Sequence, residues 1–249
     1  MTLIEEPAVR VLRADQRFAT RTVWLDSHHC FSFGAHYDPD NTAHGALMVI
    51  NDEVVRSGTG FDTHPHRDAE IVTWVLSGSL VHEDSRGNSG IIYPGLAQRM
   101  TAGSGIRHSE RNDAFRIDPE RAAEPVRFVQ MWLRPDTPDA DPSYAQREVD
   151  LTDLPGGWLP VASGGHPDAA VSLGNAGSTL WVSTLGAGVA RTLPEAPFVH
   201  LYVAEGAVDC ETVGRLGPGD SLRLTGAAAL RLTGRSTTPA EVLVWEMAG

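Results

Sequence analysis

The feature that most limits what this chain can become is its punctuation: 25 glycines and 16 prolines are scattered along 249 residues. Few stretches between them can hold a 3.6-residue apolar period, so helix is expected to be minor, a turn or two near Asp118–Ala123 and Asp150–Leu154. What recurs instead are short runs rich in Val, Ile, Leu, Thr and Trp. Ala46–Ile50, Glu70–Leu76, Ser79–His82, Gly90–Tyr93, Gly105–Glu110 and Val126–Leu133 lead the series. Thr179–Thr184, Val199–Ala204, Asp220–Thr225 and Glu241–Glu246 continue it after a polar gap. Short strands with turn signals roughly every 8–12 residues read as an all-β sandwich or barrel.

The gap itself, Pro135-Asp-Thr-Pro-Asp-Ala-Asp141, is rich in turn formers and acid and holds almost nothing to bury. It is read as a boundary between a domain at 1–140 and a second at 141–249. Leu76-Ser-Gly78 and Tyr93-Pro-Gly95 in the first half have counterparts in Gly206 and Leu216-Gly-Pro-Gly-Asp220 in the second. That faint repeat points to two similar barrels joined head to tail.

Charge removes several functions. There are 20 basic and 32 acidic residues, a net charge of −12, with no basic stripe to neutralise phosphates. Nucleic-acid binding and docking to an anionic membrane are therefore not expected. Every basic residue is Arg, which removes Lys-nucleophile and Schiff-base chemistry. The segment Met1–Pro7 lacks a basic cap followed by an apolar run, and no apolar stretch approaches ~18 residues. A soluble, cytoplasmic protein is expected. Cys30 and Cys210 fall in no Cys-x-x-Cys pair and read as buried thiols.

The chemistry concentrates in histidine. Eight of the ten lie between residues 28 and 108. Side chains alternate across a strand, so His64 and His66 share a face, as do His108 and Glu110. Forty-one residues separate His66 from His108, enough for three or four short antiparallel strands that return one pair to the other. Three imidazoles and a carboxylate converging in a barrel make a nitrogen- and oxygen-ligated metal site with room for water or substrate. A lone strand histidine is more often a plain hydrogen bonder, but two same-face pairs weaken that reading. Glu70, four residues after His66, competes with Glu110 for the carboxylate position or serves as an acceptor behind an imidazole. Spacing alone leaves both open. His28 and His29 point opposite ways, His36 and His44 lie in turn-rich sequence, and His82 reads as a structural hydrogen bonder. His166 falls in a loop, which leaves His200 alone in the second half's strand pattern. There is no Gly-x-Ser-x-Gly elbow, phosphate-binding loop or dinucleotide fingerprint.

Gly60-Phe-Asp-Thr-His-Pro-His-Arg-Asp-Ala-Glu-Ile-Val-Thr-Trp-Val-Leu-Ser-Gly78 resembles the first cupin motif of the pirin family. His82-Glu-Asp-Ser-Arg-Gly-Asn88, Tyr93-Pro-Gly95 and Met100-Thr-Ala-Gly-Ser-Gly-Ile-Arg-His-Ser-Glu110 continue it in order. Trp24-Leu-Asp-Ser27, Tyr37-Asp-Pro39 and Val49-Ile-Asn-Asp52 are similar to the bacterial, quercetin 2,3-dioxygenase-like branch. The resemblance runs from about Trp24 to Arg147. Arg67-Asp68-Ala69 departs from the Arg-Gly of animal pirins, which makes a nuclear cofactor role less credible.

The resemblance implies two tandem cupin barrels, the second degenerate and metal-free, in a chain expected to be a monomer. It implies one divalent transition metal per chain, held by His64, His66, His108 and Glu110, and so favours Glu110 over Glu70. The family's metal is usually iron, with nickel, copper, manganese, cobalt or zinc in related sites. Two functions follow. One is a dioxygenase that opens a flavonol such as quercetin with O2 and releases carbon monoxide, Glu110 being the catalytic base. The other is a metal- or redox-responsive regulator that binds a protein partner such as a metabolic enzyme. For the enzyme, alternation persisting past Glu70 would add Val72 and Trp74 to an apolar wall for a flat aromatic substrate.

Overall fold

A computed structural model describes residues 8–118, 120, 123–226, 228–235 and 237–249. The reading of the leader rests on residues 1–7, outside that range. The chain is almost wholly β and forms two compact units, each an antiparallel cupin barrel. The first comprises Phe18–Val149 with Ala170–Ala176. The second takes the described residues up to Arg17, then Asp150–Ala169 and Gly177–Gly249.

In the first unit a seven-stranded sheet runs Ser143–Glu148, Leu96–Thr101, Glu70–Ser77, Val126–Leu133, Leu47–Val55, Leu25–His29, Phe18–Arg21. A four-stranded sheet runs Gly60–His66, Ile106–Arg111, Leu80–Asp84, Ser89–Ile92. Alternation in the central strands explains how the sheets pack. Val75 and Phe128 pack with Leu80 and Ile92 of the facing sheet, and Ile71 with Ile106. Odd-numbered residues of Glu70–Ser77 thus fill the barrel, while Glu70, Val72 and Trp74 are buried on the other face. The second unit repeats the plan. Ala8–Leu12, Ser221–Thr225, Phe198–Glu205, Ala240–Met247, Ser178–Leu185 and Leu159–Ser163 follow one another in one sheet, and Ala190–Thr192, Arg231–Gly234, Val208–Cys210 and Gly214–Leu216 in the other. Leu201, Leu222, Val242 and Leu232 lie in its core.

The limits of the units differ from a cut at residue 140. Ser143–Glu148 pairs with Leu96–Thr101 and so stays in the first unit, whereas Ala8–Leu12 pairs with Ser221–Thr225 in the second. Both are edge strands, exposed or half-exposed, whose burial does not alternate. The expected helix at Asp118–Ala123 includes residues 119, 121 and 122, which lie outside the described range; the helical turn present is Ala114–Ile117. A 3₁₀ turn occupies Leu151–Asp153. Cys30 and Cys210 are buried thiols, not joined in a disulfide.

Gly60 marks where the first unit closes most tightly. A Cβ there would lie 2.3 Å from the Glu110 carbonyl oxygen and 2.5 Å from the Arg111 Cα. Both are backbone atoms of a paired strand and have nowhere to go. Gly60→Ala is expected to cost ~1–3 kcal/mol by overpacking, read as a lower urea midpoint. Gly157→Ala, with no atom within 4 Å of its Cβ position, should leave the midpoint nearly unchanged. Equal losses would contradict this packing.

Candidate metal centre

Two strands build the site. Gly60–His66 and Ile106–Arg111 pair antiparallel with His64 opposite His108 and His66 opposite Ile106. Same-face alternation then sets His64, His66 and His108 side by side on the inner face. Pro65, between the first two, has no N–H to contribute to the ladder. The three ring centroids are 4.5–4.9 Å apart, and the three residues offer ligand atoms within 4.8 Å of one another.

The nitrogen chemistry of this trio fits a metal. His64 Nδ1 donates to the Asp62 carbonyl at 2.8 Å, which leaves its Nε2 with a lone pair. Nε2 of His66 and Nε2 of His108 are both buried with no hydrogen-bond partner. Leaving such a group unpaired costs ~1–3 kcal/mol, so two together mark a place built for something else. Burial first, and then repulsion from the neighbouring imidazoles, pushes the pKa of His66 and of His108 down to about 3. Both rings are therefore neutral across the physiological range, as ligation by imidazole requires.

The ladder shifts at a bulge between His108 and Glu110, which brings Glu110 opposite Phe61 on one side and His82 on the other. Glu110 is 2% exposed and groups with His82 and His108 within 4.8 Å. Both its oxygens accept from Gln130 Nε2, at 2.9 and 2.8 Å. Burial raises its pKa, and the Gln130 bonds oppose that rise. Gln130 belongs to the facing sheet, so these bonds cross the barrel interior. It sits in a polar row, Gln98–Thr73–Gln130–Asn51–His29, in which each residue is paired with the next across the sheet.

Glu70 lies elsewhere. The chain leaves Gly60–His66 through a turn in which Asp68 has φ 49°, and Glu70 opens a strand of the other sheet. Spacing from His66 therefore does not run along one strand. Glu70 Oε2 accepts from Thr101 Oγ1 at 3.0 Å and from the Gly174 N–H at 2.9 Å, an anchor rather than a ligand position. Val72 and Trp74 share its face, so they do not form the wall expected of them. Trp132 lines the histidines instead, edge-on to His66 at 4.7 Å, with Phe33 edge-on to Trp132 at 5.5 Å.

Three residues near the site escaped the sequence reading: Gln130, Trp132 and Glu53. Gln130 and Trp132 were visible as a same-face pair in an apolar strand, a pattern with no metal-ligand type in it. His82 is fully buried, its Nδ1 3.4 Å from His108 Nδ1 and its ring stacked on Tyr144 at 4.7 Å. Glu53 is buried and accepts from Ser27 Oγ at 3.0 Å. His29 lies apart, hydrogen-bonded to Asn51 and Thr20.

Two antiparallel barrels with a cluster of two half-buried histidines and one buried histidine in the first define a bicupin with a candidate metal centre. The Pirin family profile matches residues 11–133. A Mycobacterium tuberculosis protein, Rv0181c, named provisionally as a quercetin 2,3-dioxygenase, is 52% identical over 240 residues, covering 96% of this chain and 95% of its own. The Escherichia coli K12 quercetin 2,3-dioxygenase is 44% identical over 138 residues, 55% of this chain and 57% of its own. The crystal structure of the bacterial pirin YhhW from Escherichia coli in complex with nickel(II) superposes with a TM-score of 0.84 at 31% identity, covering 96% and 99% of the two chains. The chain belongs to the pirin family. Among the described residues, no helix is long and apolar enough to cross a membrane.

Glu53 supplies a pH test. Burial first, and then the negative charge of Glu110, pushes its pKa from 4.5 up to about 8. A raised folded-state value means the fold holds a proton the unfolded chain releases, so this contribution is full below about pH 4.5 and lost as pH rises through 8. Glu53→Gln should shrink the fall in urea midpoint between pH 5 and pH 9. An unchanged fall would place the titrating group elsewhere. Glu70→Gln is expected to lower stability by ~1–3 kcal/mol while leaving metal affinity intact, because it weakens an anchor and touches no imidazole. A selective loss of metal affinity would contradict that placement.

Proposed function

We propose that His64, His66, His108 and Glu110 hold one divalent transition metal, iron in the cell, and that the protein is a dioxygenase acting on a flavonol such as quercetin. The observation that carries this reading is the pair of buried, partnerless Nε2 atoms of His66 and His108, converging with His64. The nickel(II) complex of YhhW and the quercetin 2,3-dioxygenase names of the relatives support it. Such an ion, when bound, supplies Lewis acidity that makes a substrate hydroxyl easier to deprotonate.

The chain's own residues do the rest. Glu110 is the buried carboxylate beside the histidines, placed to accept the hydroxyl proton. Burial raises its proton affinity, which suits a base that must take a proton from a weak acid. Trp132 and Phe33 supply an apolar, flat-sided wall next to His66, suited to an aromatic ring system. Partnerless Thr73 Oγ1 in the facing polar row offers a hydrogen bond to an oxygen-rich ligand.

The test is aerobic incubation of the iron(II)-loaded protein with quercetin, following the loss of its visible band and the release of carbon monoxide. Stoichiometric carbon monoxide is expected. Glu110→Gln should still load metal yet turn over at least roughly a hundredfold more slowly, the lower range of a general base's contribution. His64→Ala should lose most of its metal affinity. A wild type that binds metal but leaves quercetin intact with iron, nickel, copper, manganese and cobalt alike would overturn the enzyme reading and favour a regulator that binds a protein partner.

A further inference from the structure

We propose that Gln130 is a positioning residue: it holds the Glu110 carboxylate from across the barrel, and metal coordination by Glu110 has to compete with that hold. The inference rests on the metal-site reading above and concerns what decides whether Glu110 acts as ligand or as base.

The geometry fixes each link. Gln130 Nε2 donates to both oxygens of Glu110, at 2.9 and 2.8 Å, and both residues are buried. Which end of the amide faces the carboxylate is normally ambiguous. Here Trp132 settles it. Its Nε1–H lies 2.9 Å from the other end of the Gln130 amide, and an indole N–H can only donate. The amide oxygen must therefore face Trp132 and the NH2 must face Glu110. Gln130 and Trp132 are two apart on one strand, so one backbone segment carries both the clamp and the group that orients it. Trp132 is in turn packed edge-on to His66, so the clamp adjoins the histidine cluster at a second point.

A carboxylate with both oxygens engaged by one amide has its orientation set from the seven-stranded sheet, whereas the three imidazoles are set from the four-stranded sheet. In this arrangement Glu110 groups with His82 and His108, and the trio His64, His66 and His108 forms a separate group. Moving a Glu110 oxygen onto an ion shared with the trio weakens its bonds to Gln130. The clamp thus stabilises the carboxylate more when it is free than when it is a ligand. Removing it should make coordination by Glu110 more favourable, and the effect must vanish when Glu110 cannot coordinate as an anion.

The experiment loads full-length wild type, Gln130→Met, Trp132→Phe, Glu110→Gln and the Gln130→Met/Glu110→Gln double variant with cobalt(II). It reads affinity by calorimetry and the cobalt ligand-field spectrum. Gln130→Met should bind cobalt about tenfold to a hundredfold more tightly, the scale of one hydrogen bond to a charged group. Its spectrum should shift toward added oxygen ligation. Trp132→Phe, which keeps the amide but frees its orientation, should move both readouts the same way by less; it keeps the test decisive if Gln130→Met does not fold. Relative to Glu110→Gln, the double variant should show neither change. Unchanged or weaker binding in Gln130→Met and Trp132→Phe, or a tightening that survives in the double variant, would overturn the proposal while leaving the metal site standing. A wild type that binds no cobalt would instead overturn the metal-site reading itself.

Discussion

One pairing register governs the site. With His64 set opposite His108, alternation brings His66 onto the same inner face, and three imidazoles meet without any of them leaving its strand. A one-residue slip of Gly60–His66 would turn His64 and His66 to the opposite face from His108, since side chains alternate with a period of two. Gly60 admits the close approach that this register needs, with the Glu110 and Arg111 backbone where a Cβ would sit. Apolar contacts between the sheets, such as those of Val75 and Phe128 with Leu80 and Ile92, hold the face inward. The energetic cost of the buried, partnerless imidazole nitrogens is borne by that packing.

The facing sheet completes the chamber with a different chemistry. Its polar row at Gln98, Thr73, Gln130, Asn51 and His29 lies among apolar neighbours such as Phe128 and Val75. Buried polar side chains are costly unless paired, and this row is only partly paired among itself. Glu53 and Glu110 add two buried carboxyls whose pKa values burial raises. The first barrel is thus a packed sandwich over most of its depth and a polar chamber at one level, where the histidines look across at the row.

Much of this was legible in the sequence. Val126–Leu133 ends where its apolar run ends, and the pairs His64/His66 and His108/Glu110 announced themselves by spacing of two. The partners of the edge strands Ala8–Leu12 and Ser143–Glu148 were hidden, because each pairs with a strand distant in sequence. Glu70 misled for a geometric reason: counting by twos from His66 assumes one continuous strand, and the turn at Asp68 moves the chain to the other sheet. The bulge after His108 was equally invisible, though it decides what Glu110 faces. Gln130 could not be found from residue type, since amides are rarely counted among metal or acid–base groups. Its role emerges only from what lies across the barrel.

The most direct test is the position of the ion itself. Crystals of protein loaded with one transition metal, measured at that metal's absorption edge, would give an anomalous map. A single strong peak is predicted in the first barrel, at about 2.0–2.2 Å from Nε2 of His64, His66 and His108, the usual metal–imidazole distance. A peak ligated by other side chains, or no peak in protein shown to carry the metal in solution, would contradict the account.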